Sequence, residues 1–301
     1  MKRQQLIAIT RPQGALPDGM HAIVMDDVAA VFASLPRNMS LTRRGMLRTA
    51  AQRQACLEGL MQQDAVLPVL PGQTVPRGDV ARMLRANQPA LERKLDDLHG
   101  KAQYQITFAI DEANAMARLA RPGSPFQTAR DTEDLRSGLA RHFEDCLQAP
   151  GTEVTMLPLA GNLVANAVVL VDKATDAALH ETVADIDALW PEGIKLRMIG
   201  PSPAVSFASV GFLKTDKSEI SRALALLDVD IGAAGDEAAV ANARKTVLRN
   251  GLSDAEQVRL AAEIVGAAGR LKEADVAPFH RVMFWAEGMA ATSPAKLREA
   301  A

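Results

Sequence analysis

From Leu163 to Val171 the chain reads LVANAVVLV, an almost continuous apolar and β-branched run, which predicts a central strand covered on both faces. The period then changes. After Asp176, the residues Leu179, Val183, Ile186 and Trp190 recur at steps of four, three and four, placing one apolar stripe on a helix that Pro191 and Gly193 end. Ile194, Leu196 and Met198 then alternate with Lys195 and Arg197, as in a strand with one buried face, and Gly200-Pro201-Ser202-Pro203 is expected to stop it.

Upstream, Tyr104, Ile106, Phe108 and Ile110 alternate with Gln103, Gln105 and Thr107, the clearest half-buried strand in the sequence. An Arg-, Pro- and Gly-rich loop at 118–125 leads to a helix. Asp131, Glu133 and Asp134 are expected in its first turn, where the dipole favours negative charge, with Leu135, Leu139, Phe143 and Leu147 as its stripe and Pro150-Gly151 as its end. Val154 to Leu159 reads as a strand and Gly161-Asn162 as a tight turn. The order over residues 101–213 is therefore β-α-β-β-α-β, the split βαβ or ferredoxin-like arrangement of one antiparallel sheet with two helices on one face.

Residues 1–100 read as a separate small α+β domain. The runs 5–9, 22–25 and 28–32 predict short antiparallel strands separated by Gly14, Pro17, Gly19 and Asp26-Asp27. A helix is expected over 41–61, with Met46, Leu47, Ala50, Leu57, Leu60 and Met61 at helical spacing and Arg44, Arg48 and Gln52 on the opposite edge. Residues 65–70 are extended before the Pro71-Gly72 turn. A second helix, capped by Asp79, carries Val80, Met83, Leu84, Leu91, Leu95 and Leu98, with Pro89 expected to kink or break it and Gly100 to close it. Residues 214–301 read as a helical extension, with helices over 218–227, 236–249 and 254–272, the last opened by a Ser253/Glu256 capping box. An apolar cluster from Pro278 to Met289 is expected to dock back onto the domains, and the tail SPAKLREAA to fray.

Composition narrows the function. Of 301 residues 48% are hydrophobic but only 4% aromatic, so stacking platforms for single-stranded nucleic acid are scarce. Basic and acidic residues number 13 and 9 in 1–100, 9 and 14 in 101–213, and 12 and 13 in 214–301, so no region is basic enough to imply a phosphate backbone or an anionic membrane. No segment approaches the ~18 apolar residues of a membrane span, and MKRQQLIAIT meets Arg11-Pro12 too soon for a signal peptide. Cys56 and Cys146 read as small buried hydrophobes of a cytoplasmic protein.

Catalytic patterns are missing: the sequence contains no Walker loop, GxGxxG, GxSxG, HExxH or CxxC. Asp176 and His180, one helical turn apart with Asp172 before them, have metal-like spacing, but Glu181, Asp185 and Asp187 make a solvated acidic face the better reading. His142 and Cys146 form a weaker pair of the same spacing. No catalytic, metal or cofactor residue is assigned.

Three stretches carry a family resemblance. LPVLPGQTVPRGDVARMLRANQPALERKLDDLHGKAQYQITFAID at 67–111, GNLVANAVVLVD at 161–172 and IGPSPAVSF at 199–207 lie in the order and at separations similar to those of the gas vesicle protein F/L family. The resemblance covers roughly residues 5–212. It departs from the family at the loop, where Ser202, Ala204 and Val205 stand in place of Trp, Pro and Tyr and leave Phe207 as the one ring, and at Pro89 within the Leu-rich helix.

The resemblance implies a two-domain α+β molecule without enzymatic activity, an accessory protein of gas vesicle formation in the cytoplasm and vesicle. As a minor vesicle component it would bind the small hydrophobic shell protein, alongside other gas vesicle accessory proteins, and limit its aggregation during nucleation; neither nucleic acid nor membrane is an expected partner. A shell protein that assembles through apolar faces aggregates as free monomer unless those faces are covered. Candidate contacts are Met46, Leu47, Leu57 and Met61 on the helix 41–61, and Gly200, Pro201, Pro203 and Phe207 in the loop, although a Met-Leu stripe is more often core and Gly-Pro-Ser-Pro more often a rigid turn. A ferredoxin-like regulatory or small-ligand-binding protein is the alternative. An enzyme would need His or carboxylates converging from distant loops.

Overall fold

The computed structural model describes residues 2–36, 42–111, 114, 128–148, 152–159, 161–251, 254–271 and 277–286. They form two compact units, one from residues 1–99 with 208–285 and the other from 100–207. The loop 118–125, Pro150-Gly151, Ser253 and the tail lie outside the described residues.

In the first unit, β1 (Lys2–Thr10), β2 (Met20–Met25), β3 (Val28–Pro36) and β4 (Val66–Pro68) make a sheet in the order β2-β3-β1-β4, with every pair antiparallel. The Asp26-Asp27 turn joins β2 to β3, with Asp26 in the left-handed region at φ 50°. Leu6 to Thr10 and Val28 to Ala33 are buried without interruption, so both faces of β1 and β3 are covered there, as a central strand requires. Helix α1 (Arg43–Met61) packs on β1, β3 and β4, and α2 (Val80–Leu98) on β2, β3 and β4.

Helix α2 departs from expectation twice. Asp79 is the last residue of a 3₁₀ turn, Arg77–Asp79, and its side chain makes no capping bond. The helix also runs through Pro89 without a break. Pro89 has no N–H to give the Arg85 carbonyl; one residue further on, the Ala86 carbonyl accepts from Arg270 Nε at 2.9 Å.

In the second unit, β5 (Lys101–Ile110), α3 (Thr128–Leu147), β6 (Glu153–Met156), β7 (Leu163–Asp172), α4 (Asp176–Ala188) and β8 (Ile194–Ser202) follow in the order β-α-β-β-α-β. The sheet runs β6-β7-β5-β8 and each pair is antiparallel. β7 is central and buried from Val164 to Val171 except at half-buried Asn166. Tyr104, Ile106 and Phe108 of β5 face Val169, Ala167 and Ala165 of β7, and Phe143, Leu147, Leu179, Val183 and Ile186 of the two helices close the same core. Phe108 stacks on Phe143 with ring centroids 5.3 Å apart. α3 begins at Thr128, so of the three expected acidic residues only Asp131 borders its first turn. β6 ends at Met156, short of Leu159.

The stretch 214–301, expected as an extension, folds in its described part with the first unit. β9 (Ser209–Thr215) leads into the helices α5 (Lys217–Leu227), α6 (Glu237–Arg249) and α7 (Ala255–Arg270), and a strand, β10 (Phe279–Trp285), comes after them. β10 pairs antiparallel with β9 from Phe279↔Thr215 to Trp285↔Ser209. β9 in turn joins the end of β4 through Leu70 N, which donates to the Val210 carbonyl at 2.8 Å. The physical reason is apolar area: Ile220, Val258, Val265 and Phe279 are nearly solvent-free and cluster with Ala86 of α2, so these helices are a cover for α2. The capping box falls at Asp216 and Glu219 on α5, while α7 is capped by Asp254.

Asn87 fastens this cover. It sits between Leu84 and Leu91 on the buried stripe of α2, 5% exposed. Its Nδ2 donates to the carbonyls of Met83 at 2.7 Å and His280 at 2.8 Å, and its Oδ1 accepts from Val282 N at 3.0 Å. The side-chain amide thus acts as a short strand beside β10.

Replacing Asn87 by Leu, which keeps the volume but removes the amide, leaves one donor and one acceptor on β10 unmatched. Urea unfolding is expected to show a loss of about 1–3 kcal/mol.

Candidate partner-binding surface

Helix α1 consists of an anchored half and a free half. Thr42 opens it, its Oγ1 accepting from Gly45 N at 3.2 Å. Leu57, Leu60 and Met61 at the far end are 2%, 0% and 5% exposed. Between them Arg53 reaches into the unit, where its Nη2 donates to the carbonyls of Ile7, at 3.3 Å, and Val69. Burial lowers the Arg53 pKa, and the nearby Cys56 opposes that shift; burial raises the Cys56 thiol in turn. From Arg43 to Gln52, by contrast, only Gly45 and Thr49 are even half-buried. Met46 and Leu47 are 56% and 62% exposed, among Arg43, Arg44 and Arg48.

The expected stripe is therefore two surfaces. Met46 and Leu47 are open, whereas Leu57 and Met61 are core and serve no partner without unfolding the helix end; for these two the contact role is corrected. The reason is that helix spacing identifies one face but not how far along its length the body of the protein extends.

At the loop, β8 does not stop at Gly200 but continues to Ser202, with a register shift opposite Gln103 and Gln105. A Cβ at Gly200, whose φ is +152°, would stand 2.6 Å from the Tyr104 ring and 2.8 Å from the Gln103 carbonyl, so only glycine lets the strand lie this close. Gln103, 5% exposed, holds the next turn: its carbonyl accepts from Ser202 Oγ at 3.0 Å and its Oε1 from Ser206 N at 2.9 Å. Gly200 and Pro201 are exposed, Pro203 is buried and Phe207 is half-buried. Of the four loop candidates the structure leaves the first two open. They belong to the second unit, Met46 and Leu47 to the first.

The metal-like spacing has another occupation. The Tyr104 hydroxyl donates to Asp176 Oδ2 at 2.6 Å, and the His180 ring meets the Tyr104 ring edge-on at 5.8 Å. Burial and this carboxylate raise the Tyr104 pKa. Asp172 Oδ1 accepts from Ala174 N at 2.9 Å, turning the chain into α4. Among the described residues no three His, Cys, Asp or Glu side chains converge as a metal site. His142 Nε2 lies 3.6 Å from Cys146 Sγ, whose thiol is raised by burial and then by Asp145 and Asp185.

Periodicity alone does not single out Asn87, Arg53 or Gln103. For Asn87 and Arg53 the available signal is a polar residue at a position that the helical pattern assigns inward; Gln103 alternates with the inward face of its strand, and the pattern assigns it outward.

The fold is of the kind found in gas vesicle proteins. It is similar to the crystal structure of the gas vesicle protein GvpF from Anabaena sp. PCC7120, with TM-score 0.52 and 16% identity over 67% of this chain and 94% of that one. The GvpF structure from Microcystis aeruginosa gives TM-score 0.49 and 16% identity over 66% and 96%. Among curated proteins none matches the sequence. The sequence model of the gas vesicle synthesis protein GvpL/GvpF family matches residues 2–209, and the chain belongs to that family. Its role is accordingly related to gas vesicles. No helix among the described residues is long and apolar enough to cross a membrane.

Exchanging Met46 and Leu47 for Ser is expected to change stability by no more than about 0.5 kcal/mol, while Leu57→Ala costs about 2–5 kcal/mol. Thermal unfolding of the two variants separates the open half of α1 from its core half.

Proposed function

We propose that this protein is a non-enzymatic accessory factor of gas vesicle assembly, a minor vesicle component that binds the hydrophobic shell protein and limits its aggregation during nucleation. Family membership supports the setting. The observation that carries the binding role is the free half of α1, where Met46 and Leu47 stand exposed on a helix held rigid from its other end. Large apolar side chains side by side in solvent mark a surface that another molecule covers. Gly200 and Pro201 offer a second, smaller contact. In this reading the second unit is a ferredoxin-like support, its β-α-β-β-α-β order and antiparallel sheet being consistent with that arrangement.

The test is co-expression with the shell protein, reading how much of it stays in the supernatant and co-purifies. Retention is expected with the unaltered chain and reduced severalfold with Met46→Ser/Leu47→Ser, whose own unfolding curve is unchanged. Equal pelleting of the shell protein with and without this chain overturns the reading.

A further inference from the structure

Strand β10 is a lightly held edge of the first unit. Of its seven residues only Phe279 is buried, whereas its partner β9 is buried at every position but Leu213 and Lys214. β9 pairs with it along one side, and on the other side Asn87 bonds the His280 carbonyl and Val282 N. Three buried side-chain atoms of this two-stranded ribbon have no hydrogen-bond partner: Thr215 Oγ1, across from Phe279, and His280 Nδ1 and Trp285 Nε1 on β10 itself. Each gives up its bonds to water when the ribbon closes and regains them when β10 lifts. A segment with little buried area and unmet polar groups opens before the core does.

One of these atoms belongs to a group that changes charge. The imidazolium form of His280 carries a proton on both ring nitrogens, which leaves a charged donor buried at Nδ1 without an acceptor. Lifted into water, the same ring is satisfied in either form. Among the described residues Asp79, in the 3₁₀ turn before α2, and Lys214, in register on β9, act on the ring. Burial holds its pKa below the ordinary 6.5, Asp79 pulls it back up, and Lys214 adds to the lowering. From α5 and α7, Glu219, Glu263 and Arg259 act instead on Arg281, the next residue, which alternates to the other face of the strand. We propose that β10 is an acid-released strap: protonation of His280 frees the strand from Asn87 and β9 and uncovers Phe279 and the Ala86 side of α2. The open ring binds its proton more tightly than the closed one, so closure is fully stable above about pH 6.5 and weakens as the pH falls below it. His21 on β2 also has a buried, unpaired Nε2, and burial and then Arg77 lower its pKa, so acid strains β2 as well. The inference does not depend on the shell-protein reading, because strand opening is measured on this chain alone.

Hydrogen–deuterium exchange of the full chain, read on residues 279–285 and on β3 and corrected for the intrinsic pH dependence of amide exchange, measures the opening. Between about pH 7.5 and about pH 5.5 the protection of β10 is expected to fall severalfold, with a ceiling of about tenfold set by one proton of pKa about 6.5. β3 should keep its protection. His280→Gln and His280→Leu remove the titrating group and should each flatten the β10 response, while His21→Gln should leave it in place. The two His280 replacements differ in polarity, so one serves if the other does not fold, and β3 protection verifies folding in each. Protection of β10 that is constant with pH in the unaltered chain, a response that survives in a folded His280 variant, or a loss shared equally by β3 overturns the proposal.

Discussion

Helix α2 has more apolar surface than one sheet can cover. Val80, Met83, Leu84, Ala86, Leu91, Leu95 and Leu98 are all buried, and they occupy too wide an arc for a single neighbour. The sheet of β2, β3 and β4 takes one side; β10 and α7 take another. Residues 208–285 are consequently part of the first unit, although the family match ends at residue 209. Apolar cover alone would leave β10 with unmet backbone groups, since it pairs with β9 on one edge only. Asn87 supplies both a donor and an acceptor to the other edge, and Arg270 takes up the Ala86 carbonyl close to the proline. Two polar side chains thus turn an apolar contact into a fixed register.

The same constraint decides which parts of the fold are legible in the sequence. The second unit can be read because each element has one period and one buried face: Tyr104, Ile106 and Phe108 alternate, Leu179, Val183 and Ile186 recur, and the structure places all of them in one core. The element order is then direct. The place of residues 214–285 cannot be read, because an Ala-rich helical stripe states that a face is buried and not against what. Asp79 and Ser253 fit capping patterns, yet the working caps of the C-terminal helices are Asp216, Asp236 and Asp254. Several Ser and Asp residues near a helix start satisfy the same pattern, and only the backbone geometry selects among them.

The candidate surface is half legible for a related reason. Met46, Leu47, Leu57 and Met61 are equivalent by periodicity and opposite by burial. What divides them is Arg53, a residue whose charge suggests the outside. A buried guanidinium loses hydration, which its bonds to the Ile7 and Val69 carbonyls partly replace. It ties α1 near its midpoint to β1 and to the residue that follows β4, and the fold continues on one side of it while solvent begins on the other.

That tie also makes the free half usable as a surface. A helical segment from Arg43 to Gln52 would be marginal alone, because nucleating the first turn is unfavourable and short isolated helices do not persist in water. Here the nucleus is supplied by the anchored turns around Leu57 and Leu60, and each further residue toward Thr42 only propagates a helix already formed. The Thr42 cap closes the far end. Met46 and Leu47 are therefore presented with their backbone already ordered, so a partner binding them has to immobilise only the side chains. The same arrangement separates this half from the stability of the core: no residue from Arg43 to Gln52 is buried, so the surface can vary in sequence while the fold that carries it stays fixed.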